Sequence, residues 1–241
     1  MPGRCANLRA MKLLGLIGGM SWESTAVYYR LLNEAVRERL GGLHSARCLL
    51  YSVDFEEIER AQHDGRWDDA AAVLVDAARR LERAGAEVLV LCTNTMHRVA
   101  EAVERAVAPP LLHIADPTAA AICARGLGTV GLLGTGFTME QPFYRRRLEE
   151  RHGLAVLVPP PDERARVHEI IYRELCLGVV SETSRALFRE VMRGLVARGA
   201  EGIILGCTEI MLLVGAADAS VPLFDTTALH VAAAVDVALG G

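Results

Sequence analysis

The chain has 241 residues, 51% of them hydrophobic, enough for a large core in one big α/β domain or two small ones. A formal net charge of -4 and a pI near 6.0 argue against a basic face for nucleic acid. No apolar run reaches the ~18 residues of a bilayer span, and nothing at the N-terminus resembles a signal peptide's apolar region, so a soluble, cytoplasmic protein with no membrane partner is expected.

Met1 to Ala10 reads as a loosely ordered polar tail, with Met11 a credible alternative start. Leu13 to Ile17 is a short apolar strand that runs into the glycine turn Gly18-Gly19-Met20-Ser21, and apolar residues at helical spacing follow over Trp22–Leu40. A glycine turn between strand and helix can cradle an anion, although this one is neither GxGxxG nor a P-loop. Arg47 to Val53 is a second strand, followed by helical patterns over 55–62 and 67–84, the latter closed by Gly85. The apolar strand Val88 to Leu91 ends in Cys92-Thr93-Asn94-Thr95. A helix over 96–107 stops at Pro109-Pro110, and a strand Leu111 to Ile114 leads to a helix opened by Pro117.

The second half then echoes the first. Thr129 to Thr135 repeats the opening strand and turn, and helices over 139–152, 165–176 and 182–198 with a strand at 155–158 lead to Gly202-Ile203-Ile204-Leu205-Gly206-Cys207-Thr208-Glu209. Val221 to Asp225 matches the strand at Leu111, and the last helix, 226–239, is placed to cross back onto the first half. Gly15 and Cys92 stand 77 residues apart, Gly131 and Cys207 76. The expected fold is α/β, with two pseudo-symmetric lobes, each a parallel sheet of about four strands covered by helices. Residues 1–10 form the tail, 11–118 the N-terminal lobe joined by 225–241, and 119–224 the C-terminal lobe. Ligands of open parallel sheets sit beyond the strand C-termini, which places the site in the cleft between lobes.

Six cysteines without a secretory signal imply free thiols. No Cys-x-x-Cys spacing occurs and no histidine lies at ligand spacing from a cysteine, so no metal site is expected. Of the 26 basic residues only Lys12 is a lysine, and it opens the first strand, so no internal lysine is available for a pyridoxal Schiff base. Cys92 and Cys207 end equivalent strands at helix N-termini, where the dipole and free amides lower a thiol's pKa. Two such thiols across one ligand suit inversion of a stereocentre: one removes a proton and the other returns one on the far face. Amides at Thr93, Asn94, Thr95, Thr208 and Glu209 can hold the carboxylate whose charge grows in the transition state. Cys48, Cys123 and Cys176, inside apolar patterns, read as packing. Glu209 could orient Cys207, bind a substrate ammonium or simply face the helix dipole. His97 and His168 read as solvated residues near the cleft, and Asp54 and Asp116 as helix caps.

The segments GLIGGMSWEST (Gly15 to Thr25), LCTNTMH (Leu91 to His97), HIAD (His113 to Asp116), GCTEI (Gly206 to Ile210) and FDTT (Phe224 to Thr227) resemble the aspartate/glutamate racemase family, especially its broad-specificity amino-acid racemase branch, from Met11 to the C-terminus. The resemblance implies a homodimeric isomerase without a cofactor, whose small-molecule substrate is an amino acid, with Cys92 and Cys207 as the two bases. Some relatives carry threonine for one of these cysteines and racemise weakly or from one side; on this matching the chain keeps both. The resemblance also assigns substrate contacts to Met20, Ser21, Ser52, Asn94, Thr95 and Thr208, and matches a carboxylate-binding lysine to Arg166, a bulkier forked donor. Gly19-Met20-Ser21 and Glu209 depart from the acidic residue and histidine of the cell-wall glutamate racemases. Other relatives use the same cysteine positions for hydantoin racemisation, maleate isomerisation or malonate decarboxylation, and a non-catalytic binding protein for acidic amino acids is a further alternative.

Overall fold

The computed structural model describes residues 11–240; the tail expected at Met1 to Ala10, with Cys5, lies outside them. Two four-stranded parallel sheets organise the chain. In the first, β1 (Leu14–Gly18) lies between β2 (Cys48–Ser52) and β3 (Val88–Leu91), with β4 (Leu111–Leu112) beyond β3. In the second, β5 (Thr129–Gly134), β6 (Ala155–Leu157), β7 (Gly202–Gly206) and β8 (Leu223–Asp225) take the same order, β6-β5-β7-β8. β1, β3 and β7 are buried along their whole length, which is why they read as unbroken apolar runs rather than alternations.

Helices cover both faces. The first lobe carries α1 (Trp22–Leu40), α2 (Phe55–His63), α3 (Trp67–Arg83) and α4 (Ala100–Ala106). Then come α5 (Ala115–Cys123), α6 (Gly136–Glu140), α7 (Pro142–His152), α8 (Pro161–Arg173), α9 (Glu182–Ala197), α10 (Ile210–Leu213) and α11 (Thr226–Leu239). The helix expected over 139–152 is split in two, because Pro142 opens α7 while Gln141 stays extended. The helix expected from Ala165 starts at Pro161, which has no N–H to lose in a first turn. Its buried positions are Val167 and Ile171, one turn apart.

The lobes exchange their last helices. Val231, Ala234, Val235 and Ala238 of α11 pack into the first lobe's core with Leu14, Tyr28 and Leu32. Conversely, Ala115, Ala119 and Ile122 of α5 pack into the second lobe's core with Val130, Leu132 and Phe188. A boundary at 118 falls inside α5, whose buried face belongs to the second lobe. Each fully buried Leu, Ile, Val or Phe in these cores contributes about 1.5–3 kcal/mol, so the exchange ties the lobes together. Among the described residues no helix is long and apolar enough to cross a membrane.

Candidate active site

The strand registers align the two halves residue by residue. Gly15 pairs with Leu89 and Gly131 with Ile203, and the ladder of the second lobe continues to Gly134 opposite Gly206. Since Gly15 and Gly131 are equivalent, Leu89 corresponds to Ile203, Cys92 to Gly206, and Thr93 to Cys207. The intervals of 77 and 76 residues therefore record a real offset of one, and in extended backbone an offset of one turns a side chain to the opposite face.

Cys92 accordingly lies in the core rather than the cleft. It is fully buried among Leu14, Leu16, Tyr28, Leu32 and Val231, its sulfur directed back to the Val90 carbonyl at 3.8 Å. At the equivalent place in the second lobe a Cβ on Gly206 would come within 2.9 Å of the Leu133 carbonyl oxygen and 2.8 Å of Leu132, so glycine is required there while the first lobe has room for a thiol. The expectation that two cysteines face each other is thus corrected: Thr93 holds the position that matches Cys207. Thr93 lines a cavity between the lobes together with Asn94, Thr95, Thr135, Cys207, Thr208, Glu209 and Met20. The cavity holds only about 20 Å³ of solvent-sized space, about one water.

Glu209 is the charged centre of this cavity, 2% exposed. The Cys207 thiol donates to its Oε2 at 2.9 Å, and the Thr208 hydroxyl donates to the same oxygen at 2.9 Å. The Ser21 hydroxyl, from the other lobe, donates to Oε1 at 2.7 Å and the Ser21 amide at 3.3 Å. Ser21 is also the N-cap of α1, so the start of that helix is locked to the opposite lobe. Of the open readings of Glu209, orientation of Cys207 has direct geometry. The thiol's acidity runs opposite to expectation: burial first, then the charge of Glu209, hold Cys207 well above the ordinary thiol range. The helix that follows is a single turn, Ile210–Leu213, too short for a dipole to outweigh those two effects.

The first turn is braced by histidine. His97 Nε2 accepts from the Ile114 amide at 3.1 Å, so Nδ1 carries the proton and donates to the Thr93 carbonyl at 2.7 Å. Burial first, then His113 and His230 close by, hold His97 well below the ordinary histidine range, so it is a neutral strut, buried instead of solvated. Asn94 donates through Nδ2 to Thr226 Oγ1 at 3.0 Å, and that hydroxyl donates to the Leu205 carbonyl at 2.8 Å. The amide is thereby fixed with Oδ1 buried and unpartnered.

Two further expected contacts fall outside. Arg166 is exposed on α8, on the side away from Val167 and Ile171. Ser52 is exposed at the end of the edge strand β2, where it lies beside Gly19: a Cβ there would meet Ser52 Oγ at 2.8 Å and the Val53 carbonyl oxygen at 2.2 Å, and the φ of +94° favours glycine. Asp54 caps α2 as expected, whereas Asp116 pairs with Arg147 at 2.6 Å and His152 at 3.2 Å. Other cavity residues went unrecognised: Phe55, Gln62, Thr135, Ile171, Tyr172 and Cys176. For Thr135 the duplication held a signal, since it occupies the place of Gly19. Cys176 packs against the second lobe's core, as expected, and also borders the cavity. Tyr172 stacks on Phe55 at 6.3 Å and donates to Gln62 Oε1 at 2.9 Å, so α2 and α8 clasp across the cavity.

Two parallel lobes with a buried thiol, carboxylate and hydroxyls between them define a two-lobed isomerase scaffold, and the family model described as Asp/Glu/hydantoin racemase matches residues 17–234. The chain belongs to that family. A Yersinia pestis crystal structure of the Asp/Glu racemase type is 60% identical, with a TM-score of 0.88 over 95% of this chain and 100% of that one. An aspartate racemase homologue from Pyrococcus horikoshii is 37% identical, with a TM-score of 0.82 over 95% and 99%. The broad-specificity amino-acid racemase RacX of Bacillus subtilis is 23% identical over 90% of this chain and 93% of its own.

Proposed function

We propose that the protein is an amino-acid racemase that exchanges the Cα proton without a cofactor, using the Cys207–Glu209 pair on one face of the substrate and the Thr93 hydroxyl on the other. The observation that carries this reading is the buried thiol 2.9 Å from a buried carboxylate in the inter-lobe cavity. Glu209 takes the thiol proton, the resulting thiolate removes hydrogen from Cα, and the C–H electron pair moves into the substrate carboxylate as an enediolate. The hydroxyls of Thr95 and Thr135 and the amide of Thr208 are suited to that growing charge. Return of a proton to the opposite face falls to Thr93, which lines the cavity and whose hydroxyl gives its proton to Cα while taking one from water; Glu209 releases to water the proton it took, so both groups return to their starting state. Threonine is a far weaker acid and base than a thiol near neutral pH, so the two faces are served unequally. The only lysine, Lys12, is exposed and cannot form an internal Schiff base.

The test is exchange in D₂O with no added cofactor, followed separately for each enantiomer. The enantiomer whose hydrogen faces Cys207 is expected to take up deuterium at Cα faster than it inverts, and the other to exchange slowly. Absence of exchange with every amino acid tried overturns the reading. Exchange at equal rates from both enantiomers overturns the unequal assignment of the two faces.

A further inference from the structure

A second cavity, sharing no wall residue with the first, opens between α4 of the first lobe and α7 of the second. It encloses about 550 Å³, within the size of small-molecule sites (~300–1,000 Å³). His97, the strut of the Thr93 carbonyl, forms part of its wall beside His113. His113 is 5% exposed, and its Nδ1 accepts from the Ala115 amide at 3.2 Å, so Nε2 carries the proton. That N–H meets no acceptor among the described residues. Burial first, then Arg147, His230 and Arg151, hold His113 down to about 2; the ring is a neutral donor set in a positive field. Arg147 adds a second unmet donor, since Nε and Nη2 each donate to Asp116 at 2.6 Å and Nη1 has no acceptor among the described residues. Arg151, one turn further along the same face of α7, has no ion pair there either.

The opposite wall carries the opposite charge. Glu101 and Glu104 stand three residues apart on one face of α4. Glu101 binds Arg105 at 2.5 Å, and Glu104 has no cationic partner among the described residues. Arg146 and Glu150 neutralise each other at 3.3 Å.

We propose that this cavity is a second amino-acid site, which binds the zwitterion with its carboxylate on His113 Nε2–H, Arg147 and Arg151 and its ammonium towards Glu101 and Glu104. A buried donor without an acceptor is costly, and a carboxylate supplies that acceptor in its stronger, charge-assisted form. A multiply charged anion such as phosphate would satisfy the same donors, but it would stand against the two carboxylates of α4. The ammonium of an amino acid turns that repulsion into attraction. Pro142 and Phe143 lend an apolar surface for the side chain. Binding here needs neither Cys207 nor Thr93, so the proposal goes beyond the racemase reading and does not rest on it. Because α4 and α7 belong to different lobes, an occupant bridges them directly behind the turn that presents Thr93.

The experiment is calorimetric titration of the full chain with both enantiomers of alanine and methionine, and with acetate and inorganic phosphate as probes of the anion alone. The expected result is a binding event for at least one amino acid whose Kd rises at least tenfold in Arg151→Ala and at least threefold in Glu104→Gln. Both positions are exposed and lie outside the racemisation cavity, so both variants are expected to melt like the parent. Acetate and phosphate are expected to bind at least tenfold more weakly than that amino acid. If no amino-acid binding event weakens in Arg151→Ala, the second site is overturned. Acetate or phosphate binding as tightly as the amino acid, or a Kd that Glu104→Gln leaves unchanged, overturns the zwitterion assignment. Since binding rather than Cα exchange is read, failure here leaves the racemase reading standing, and failure of that reading leaves this site standing.

Discussion

The turns after β3 and β7 share backbone register and differ in nearly every chemical respect. The first presents Thr93, Asn94 and Thr95 and is held from behind by His97, a neutral donor to the Thr93 carbonyl. The second presents Cys207, Thr208 and Glu209 and is held from across the cleft, by Ser21 on the Glu209 carboxylate. Duplication thus preserved the scaffold while the ionisable chemistry gathered on one side. The thiol that the first turn does possess, Cys92, is one residue early and faces a core in which a Cβ is welcome; its counterpart Gly206 stands where none fits.

The largest expected effect separates these two sulfurs. Cys207→Ala should lower Cα exchange by about 10²–10⁴-fold, the usual contribution of a positioned acid or base, whereas Cys92→Ala should leave kcat within about twofold and cost roughly 1 kcal/mol of stability. Chiral chromatography of the reaction together with a urea melt reads both. Loss of activity in a well-folded Cys92→Ala protein would break the assignment of Thr93 to the cleft.

Glu209→Gln keeps the shape and removes the charge. A charge-assisted hydrogen bond of this kind corresponds to about tenfold or more in rate. The second cause that raises the Cys207 pKa disappears with the charge, so the pH at which iodoacetamide alkylates Cys207 should move down even as racemisation slows. A slower enzyme whose alkylation profile does not move would show that Glu209 serves geometry alone. Thr93→Cys makes the turns chemically alike, and the slow enantiomer is expected to gain about tenfold or more in exchange while the fast one changes little.

Much of this was legible in the chain because burial on both faces turns a strand into an apolar run, and two such runs in the same order reveal the repeat. Cys207 and Glu209 followed from strand ends and turn chemistry. Register was less accessible: Cys-Thr recurs at both turns, and the matching dipeptide masks the offset that only the pairing of β1 with β3 and β5 with β7 exposes. The same limit explains Arg166. Once α8 begins at Pro161, the phase set by Val167 and Ile171 turns Arg166 outward, whereas a helix assumed to begin at Ala165 leaves that phase open. Cavity walls from α2 and α8 come from elements more than 100 residues apart, Gln62 and Tyr172 among them, and no local pattern pairs them.

The smallest expected effect concerns the brace behind the first turn. His97, His113 and His230 are all held below the ordinary histidine range by burial, His113 to about 2 and His230 to about 4. In the unfolded chain each titrates near its ordinary value, so between about pH 6.5 and about pH 4 the unfolded chain binds more protons than the folded one. Stability therefore rises with pH across that window and falls on acidification. Thermal melts from pH 7.5 to pH 5 should show a steadily lower Tm, and His230→Gln, which retains a polar group between the Tyr28 hydroxyl and the Leu112 carbonyl, should flatten the slope even though it lowers Tm at neutral pH. Because His97 stays neutral in the folded protein, mild acid should lower Tm while leaving the ratio of exchange on the two faces unchanged until the fold is lost. A change in that ratio while the protein still melts as a folded one would mean that His97 takes up a proton in the native state and that the first turn is not held by a neutral histidine.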